Sequence, residues 1–221
     1  MLAAMAAEVH HPLFARCFDR LSHALERELG RHRTELLVGL RGRVLELGAG
    51  NGINFGHYPA GVDEVVAVEP EPYLRARARA AAGAAPVRVS VEPGVGERLP
   101  FPDASFDGAV ASLVLCTVAD QAAALRELRR VLRPGGELRF FEHVRARGGP
   151  MVNVQRIADA SGIWPLLAGG CHCSRSTAEA IAAAGFAVRR IRYLHIGPRW
   201  ALVNPHVLGC AERESSPNPG P

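Results

Sequence analysis

The chain has 221 residues, 48% hydrophobic and 22% charged, with a formal net charge of +4. These values suit one globular domain with a sizeable core and exclude a disordered or fibrous chain. No charge-free run of about 18 residues occurs, and Met1-Leu2-Ala3-Ala4-Met5-Ala6-Ala7 is too short to cross a bilayer, so no transmembrane segment is expected.

All 26 basic residues are arginine, in an alanine-rich chain, which points to a GC-rich bacterial genome rather than to a mechanism. Arg126, Arg129, Arg130 and Arg133 share a predicted helix with Leu125, Leu128 and Leu132, whose spacing marks the buried stripe. The arginines then form its solvated face. Few aromatics interleave with them, so no nucleic-acid partner is expected. Cys17, Cys116, Cys171, Cys173 and Cys210 make no even framework and no signal peptide precedes them, which implies a reducing, cytoplasmic setting.

In chain order, residues 1–11 read as loose. Leu13, Phe14, Cys17, Phe18, Leu21, Leu25 and Leu29 then recur at helical spacing, giving one or two amphipathic helices between Pro12 and Leu40 with an interruption near Gly30. This segment, residues 1–40, is either part of a lid or a plain packing element. Alternating elements follow: strand 43–47, helix near 52–57, strand 64–69, helix 71–82, strands 87–91 and 106–112, helix 120–132 and strand 137–143. Such alternation predicts an α/β, doubly wound, mostly parallel sheet. Residues 145–173 carry glycine–proline breaks and apolar residues without a clean period, so an irregular insertion is expected above the carboxyl edge of the sheet. Ser174 or Ser176 can cap a helix through residue 184, ended by Gly185. Strands 186–194 and 200–210 close the sheet, with a domain over 41–212 and a tail, 213–221, whose Ser215-to-Pro221 stretch is disordered by composition.

The informative stretch is Val44-Leu45-Glu46-Leu47-Gly48-Ala49-Gly50-Asn51-Gly52, an apolar strand running into glycines at alternate positions. A strand, a glycine turn and a helix start form a nucleotide-type pocket. The dehydrogenase fingerprint would need glycine where Ile53 stands. Val65-Val66-Ala67-Val68-Glu69 ends in an acid 21 residues past Gly48, near the offset of about 20 at which an acid reaches ribose hydroxyls. Gly96-Glu97-Arg98-Leu99-Pro100-Phe101, Ser105-Phe106-Asp107 and Val131-Leu132-Arg133-Pro134-Gly135-Gly136 follow in order.

Together these resemble class I S-adenosylmethionine (SAM) methyltransferases, whose Rossmann-like fold has a seven-stranded sheet, here preceded by N-terminal helices. The resemblance implies that SAM is bound and S-adenosylhomocysteine released. It places Gly48, Ala49, Gly50, Asn51 and Gly52 against the methionine moiety and ribose, and Glu46 at the loop and the ammonium end. Glu69, fixed at the rim by Pro70, would meet the ribose hydroxyls. Val95, Gly96 and Glu97 would line the adenine, and Leu113 would close the cofactor side after the fourth strand.

On the acceptor side, Ser112-Leu113-Val114-Leu115-Cys116-Thr117-Val118, Phe141-Glu142-His143-Val144, Gly170-Cys171-His172-Cys173-Ser174-Arg175, Pro198-Arg199-Trp200 and Asn204-Pro205-His206-Val207-Leu208-Gly209 are similar to segments of the methyltransferase-like thiol S-methyltransferases and their bacterial relatives. The resemblance covers residues 36–212. It departs at the N-terminus, where the animal proteins carry a hydrophobic anchor that this sequence lacks, so membrane attachment is not carried over. It departs again at Cys173.

The resemblance implies methyl transfer to the thiol of a small molecule. An alkyl thiol ionises near ~8.5, so a base or a positive field helps form the thiolate. His143, at the end of a central strand, is the first catalytic candidate, with Glu142 as orienter or second base and His172 and His206 as lesser ones. His143 could equally cap the following turn. Cys171-His172-Cys173 has no partner C-x₂-C or H-x₃-H pair, so no metal is expected, and an apolar neighbourhood makes Cys116 inert. The rival readings are O- or C-methylation of a phenolic or quinone-precursor acceptor, and a SAM-binding module without turnover.

Overall fold

The computed structural model describes residues 11–214, so the expectations for 1–10 and for the tail from residue 215 lie outside it. Two helices come first, α1 (Pro12–Ala24) and α2 (Glu26–Leu37). Pro12 at the first turn of α1 supplies a preset φ where no backbone donor is needed. The break falls at Leu25 and not at Gly30, which lies inside α2. The missing side chain there leaves room for Glu26, whose carboxylate Oε1 would stand 2.8 Å from an added Cβ. That carboxylate is committed to Arg33 and His57, at 3.1 and 2.8 Å.

The sheet comprises β1 (Gly42–Leu47), β2 (Val62–Val68), β3 (Arg88–Glu92), β4 (Phe106–Ser112), β5 (Leu132–His143), β6 (Phe186–His195) and β7 (Pro205–Arg213). Its order is β3-β2-β1-β4-β5-β7-β6. The first five strands are parallel, and β7 is antiparallel to both β5 and β6. Helices α3 (Pro72–Ala82), α4 (Gln121–Val131) and α7 (Thr177–Ala183) cover the faces with α2. Because successive strand residues point to opposite faces, two cores form. Leu45, Leu47, Ala109 and Phe140 pack with Leu125 and Leu128 of α4 and Ile181 of α7. Val44, Val110 and Phe141 pack with Leu36 and Leu37 of α2 and Ala78 of α3. Both faces of β1 and β4 are therefore dry, which is why those strands read as continuous apolar runs.

Other expectations are corrected as well. The helix near 52–57 is a single 3-10 turn, Phe55–His57, because Asn54 and Tyr58 turn inward to Glu46 and Pro59 stops the segment. The insertion at 145–173 is not irregular throughout: it holds α5 (Met151–Ala160) and α6 (Ile163–Leu167). Buried Gln155 fixes α5, accepting from the Ala146 N–H and donating to the Val144 and Leu202 carbonyls. Ile157, Ile163, Leu166 and Leu167 are exposed, so the apolar residues trace no core-facing period. The last strand starts at Pro205 rather than 200, and Trp200 lies exposed in the turn before it. Gly185 does end α7, whose first residue follows Ser176, although that serine's side chain makes no cap; Ser174 Oγ instead bonds Asp159. No helix among the described residues is long and apolar enough to cross a membrane.

Candidate active site

The glycine loop leaves the carboxyl end of β1 at the sheet's centre. Gly48 and Ala49 both donate to the Val68 carbonyl, at 2.8 and 3.1 Å, tying the loop to β2. Gly48 has φ 65°, and a Cβ there would collide with Val114 of the loop after β4. Gly50 has φ 56° and donates its N–H to Glu69 Oε2 at 2.8 Å; a Cβ would stand 3.2 Å from the Phe18 ring. Glycine is required at both positions for backbone conformation and for space.

Glu69 sits just past β2 and is buried. Its other oxygen accepts from the Glu71 N–H at 3.0 Å, while Arg75 clasps the Glu69 and Pro70 carbonyls, each at 2.9 Å. Burial pushes Glu69 up to about 7 against the pull of its two backbone donors. Each oxygen keeps a second lone pair for a hydroxyl donor. Glu46 is fully buried and accepts from Asn54 Nδ2 at 2.7 Å and Tyr58 Oη at 2.8 Å. Arg33 completes the chain by donating to Asn54 Oδ1 at 2.7 Å. Burial likewise lifts Glu46 to about 7, opposed by those bonds and by the Arg33 charge.

Helix α1 lies across this loop. Asn51 Nδ2 donates to Asp19 Oδ1 and Ser22 Oγ, both at 2.9 Å. Asp19 also receives Tyr73 Oη and the Arg77 guanidinium from α3, each at 3.2 Å. Its burial would raise its pKa, but the bonds from Asn51 and Tyr73 and the Arg77 charge hold it below the ordinary carboxylate value. On the opposite flank, Phe14 presses on Gly169 of the insertion.

Around the sheet edge, Gly96 is buried against Leu47, Val95 is half-buried, and Glu97 accepts from the Asp120 N–H at 3.1 Å. Leu113 has φ 57°, one of two such non-glycine residues among those described, and its N–H donates to the Phe141 carbonyl at 2.7 Å. Strained backbone of this kind collects at functional sites. Two buried polar atoms at these strand ends, Asn51 Oδ1 and Ser112 Oγ, lack any partner. Unpaired buried acceptors, a glycine cradle and two acids at β1 and β2 are what a ligand carrying an ammonium and ribose hydroxyls would satisfy, so the residues present fit SAM.

The acceptor candidates separate. Glu142 is fully buried and accepts from the Val114, Leu115 and Cys116 N–H groups at 3.1, 2.9 and 3.2 Å. It holds the loop after β4 and is spent on backbone. Burial raises it to about 7. His143, its neighbour on β5, points the opposite way: its Nδ1 lies 3.8 Å from Cys116 Sγ and 3.6 Å from Cys171 Sγ, and its ring edge meets His206 at 4.7 Å. Burial and the neighbouring His206 bring His143 down to about 3, so the imidazole is neutral and a weak proton acceptor. His172 reaches the site only through its backbone, donating to the Cys116 carbonyl at 2.8 Å; it otherwise lines a shallow cleft with Arg156, Asp159, Ser174 and Arg175. All five cysteines are free. Sequence reasoning missed the roles of Arg33, Asn54, Tyr58 and Asp19, and it discounted Cys116 and Cys171. Asn54 and Tyr58, eight and twelve residues past Glu46, were the readable signal for its partners.

A 3-2-1-4-5-7-6 sheet with one antiparallel strand, a glycine loop after β1 and an acid after β2 defines a class I SAM-dependent methyltransferase. The methyltransferase domain family matches residues 45–140. Thiol S-methyltransferase TMT1A of Homo sapiens is 35% identical over 174 residues, 76% of this chain and 69% of that protein. The ubiquinone/menaquinone biosynthesis C-methyltransferase UbiE of Shewanella frigidimarina is 32% identical over 149 residues, 63% of this chain and 59% of that protein. A SAM-dependent methyltransferase from Mesorhizobium loti, solved as a crystal structure, superposes with a TM-score of 0.60 at 25% identity, covering 84% of this chain and 97% of that one. The chain belongs to the SAM-dependent methyltransferases, in the family that holds the TMT1 proteins.

Proposed function

We propose that this protein methylates the thiol of a small molecule. The observation that carries this reading is the match to TMT1A, 35% identical over 174 residues, a longer stretch than the methyltransferase domain at 45–140. When bound, SAM supplies an electrophilic methyl on a sulfonium. The chain's own part is to bind, orient and exclude water. Gly48, Ala49, Gly50, Asn51 and Gly52 cradle the cofactor, with Glu46 toward the ammonium end and Glu69 toward the ribose. Val95, Gly96 and Glu97 stand on the adenine side, and Pro70 and Leu113 fix the rims. Helix α1 serves as the lid. A thiolate and a sulfonium lose their charges as they react, so a water-poor site favours the transition state over the ions. His143 faces the acceptor as a neutral imidazole, Glu142 holds the loop that carries Cys116, and His172 ties the insertion to that loop.

The match to UbiE favours one other reading, C-methylation of a quinone precursor. S-adenosylhomocysteine release, measured across alkyl thiol, phenol and amine acceptors at fixed pH, tests both. Turnover confined to thiols is the expected result. Turnover confined to phenols removes the thiol reading, and SAM binding without turnover on any acceptor leaves a binding module.

A further inference from the structure

Two buried cysteines and a histidine meet at the carboxyl ends of β4 and β5: Cys116, Cys171 and His143, with their sulfur and nitrogen atoms all within 4.8 Å of one another. Three separate devices bring them together. Glu142 gathers the N–H groups of residues 114–116. The His172 N–H donates to the Cys116 carbonyl, and Arg175 Nη1 donates to the Leu115 carbonyl at 2.7 Å, drawing the end of the insertion onto that loop. Gly170, at φ 91°, lets the insertion come so close that an added Cβ would stand 3.1 Å from the Thr117 carbonyl. The ring edge of His206 sets the face of His143.

The spacing matches a coordination sphere. A zinc ion about 2.3 Å from sulfur and about 2.0–2.1 Å from nitrogen, at tetrahedral angles, holds each sulfur roughly 3.5–3.6 Å from the nitrogen. The sulfur–Nδ1 distances here are 3.6 and 3.8 Å. Two thiolates and an imidazole, with no carboxylate among them, are the donor set zinc takes, and three protein ligands leave a fourth position open. His143 is only half-buried, so the cluster is not sealed. Val114, two residues before Cys116, touches Gly48 of the cofactor loop, which puts the cluster beside that loop.

We propose that Cys116, Cys171 and His143 bind one zinc ion whose fourth position takes the sulfur of the acceptor thiol. This rests on the thiol reading above. In the exchange the acceptor's S–H bond breaks, its proton passes to bulk water, the sulfur keeps the electron pair and bonds to zinc, and the bound water leaves; nothing is oxidised or reduced. The metal thereby holds as thiolate a group that otherwise ionises near ~8.5.

The test uses the full chain purified in reducing buffer, with zinc measured by atomic emission and cobalt(II) as the spectroscopic probe. Wild type is expected to hold about one zinc per chain. Cys116→Ala, Cys171→Ala and His143→Ala should each lose at least about 10–100-fold in zinc affinity, the loss that even an outer-shell partner causes. Cys173→Ala and Cys210→Ala should keep the metal. Cys116→Ser and Cys171→Ser, which preserve volume and are checked by thermal melting, guard against loss through misfolding. The cobalt protein should show sulfur-to-cobalt charge transfer that grows when 2-mercaptoethanol is added and does not change with ethylene glycol. Zinc below about a tenth per chain with all thiols titratable, or a Cys116–Cys171 disulfide in reducing buffer, overturns the site. Thiol methylation at the wild-type rate by zinc-free protein overturns the inference while the thiol reading stands. Zinc bound through these three residues, with a thiol-sensitive cobalt spectrum but turnover only on phenols, upholds the site and removes the thiol reading.

Discussion

Replacing Glu46 by glutamine keeps the shape of a fully buried side chain and deletes its charge. Burial lifts this carboxyl from 4.5 to about 7, so ionising it in the free protein costs about 3 kcal/mol more than in water. That cost is what remains of the burial penalty after Asn54, Tyr58 and Arg33 have opposed it. A cation within about 4 Å gains about 4 kcal/mol at an effective dielectric of ~20, enough to tip the group to carboxylate. If the SAM ammonium takes that place, binding expels a proton. The sign follows: below about 7 the free protein holds a proton that the complex does not, so affinity tightens as pH rises. The slope approaches about tenfold per pH unit for one proton and flattens above the folded pKa. Glu69, also raised to about 7, adds a second proton if ribose hydroxyls favour its ionised form. Glu46→Gln should therefore remove one proton from the slope, not all of it. It should also weaken binding by about 1.5–3 kcal/mol, the range for a hydrogen bond to a charged group. Titration calorimetry between about pH 5.5 and 7, below the range where an α-amino group titrates, reads both quantities. Repeating it in buffers of different ionisation enthalpy counts the protons. Identical slopes and proton counts in the two proteins would refute the assignment of Glu46 to the ammonium.

Gly50→Val should abolish SAM binding by calorimetry, because a branched residue at φ 56° is strained and its Cβ would lie 3.2 Å from Phe18; wild-type affinity in the variant would remove the cradle. Asp19→Ala takes a partner from Asn51, Tyr73 and Arg77 together. Hydrogen exchange should then quicken across α1 by an amount equivalent to about 1–3 kcal/mol, with the sheet unchanged; unaltered α1 protection would show that the helix is held by other contacts.

Much of the cofactor side was legible because it is local. Strand, glycines and acid lie in one short β1–turn–β2 crossover, and the interval from Gly48 to Glu69 is set by the length of that connection. The sheet class was legible for a similar reason: buried parallel strands are apolar on both faces. The partners of the loop were less visible, since Asn51 bonds to α1 and Glu46 reaches Arg33 of α2 only through Asn54. Nothing in the spacing of α1 announces which polar residue turns inward. The cysteine–histidine cluster was hidden for the strongest reason. Cys116, His143 and Cys171 come from three segments that meet only after β4 and β5 pair and the insertion folds back, so a search for paired ligands at short spacing passes over them. The insertion helices escaped because their apolar residues face outward, where no core imposes a period.

The placement of β7 bears on the order in which the molecule is built. Among the described residues this strand comes last in sequence, yet it lies between β5 and β6, and β6 pairs there with no other strand. During synthesis the five parallel strands and their helices can assemble with the glycine loop in place, while β6 has emerged with an unpaired edge. Only when residues 205–213 arrive does the sheet extend past β5, and with them comes His206, which packs on both Phe141 and His143. The cofactor half can thus mature on the nascent chain before the acceptor half does. In that interval β6 is a bare strand of the kind that pairs with a neighbouring chain, which makes the arrival of β7 the step most exposed to aggregation.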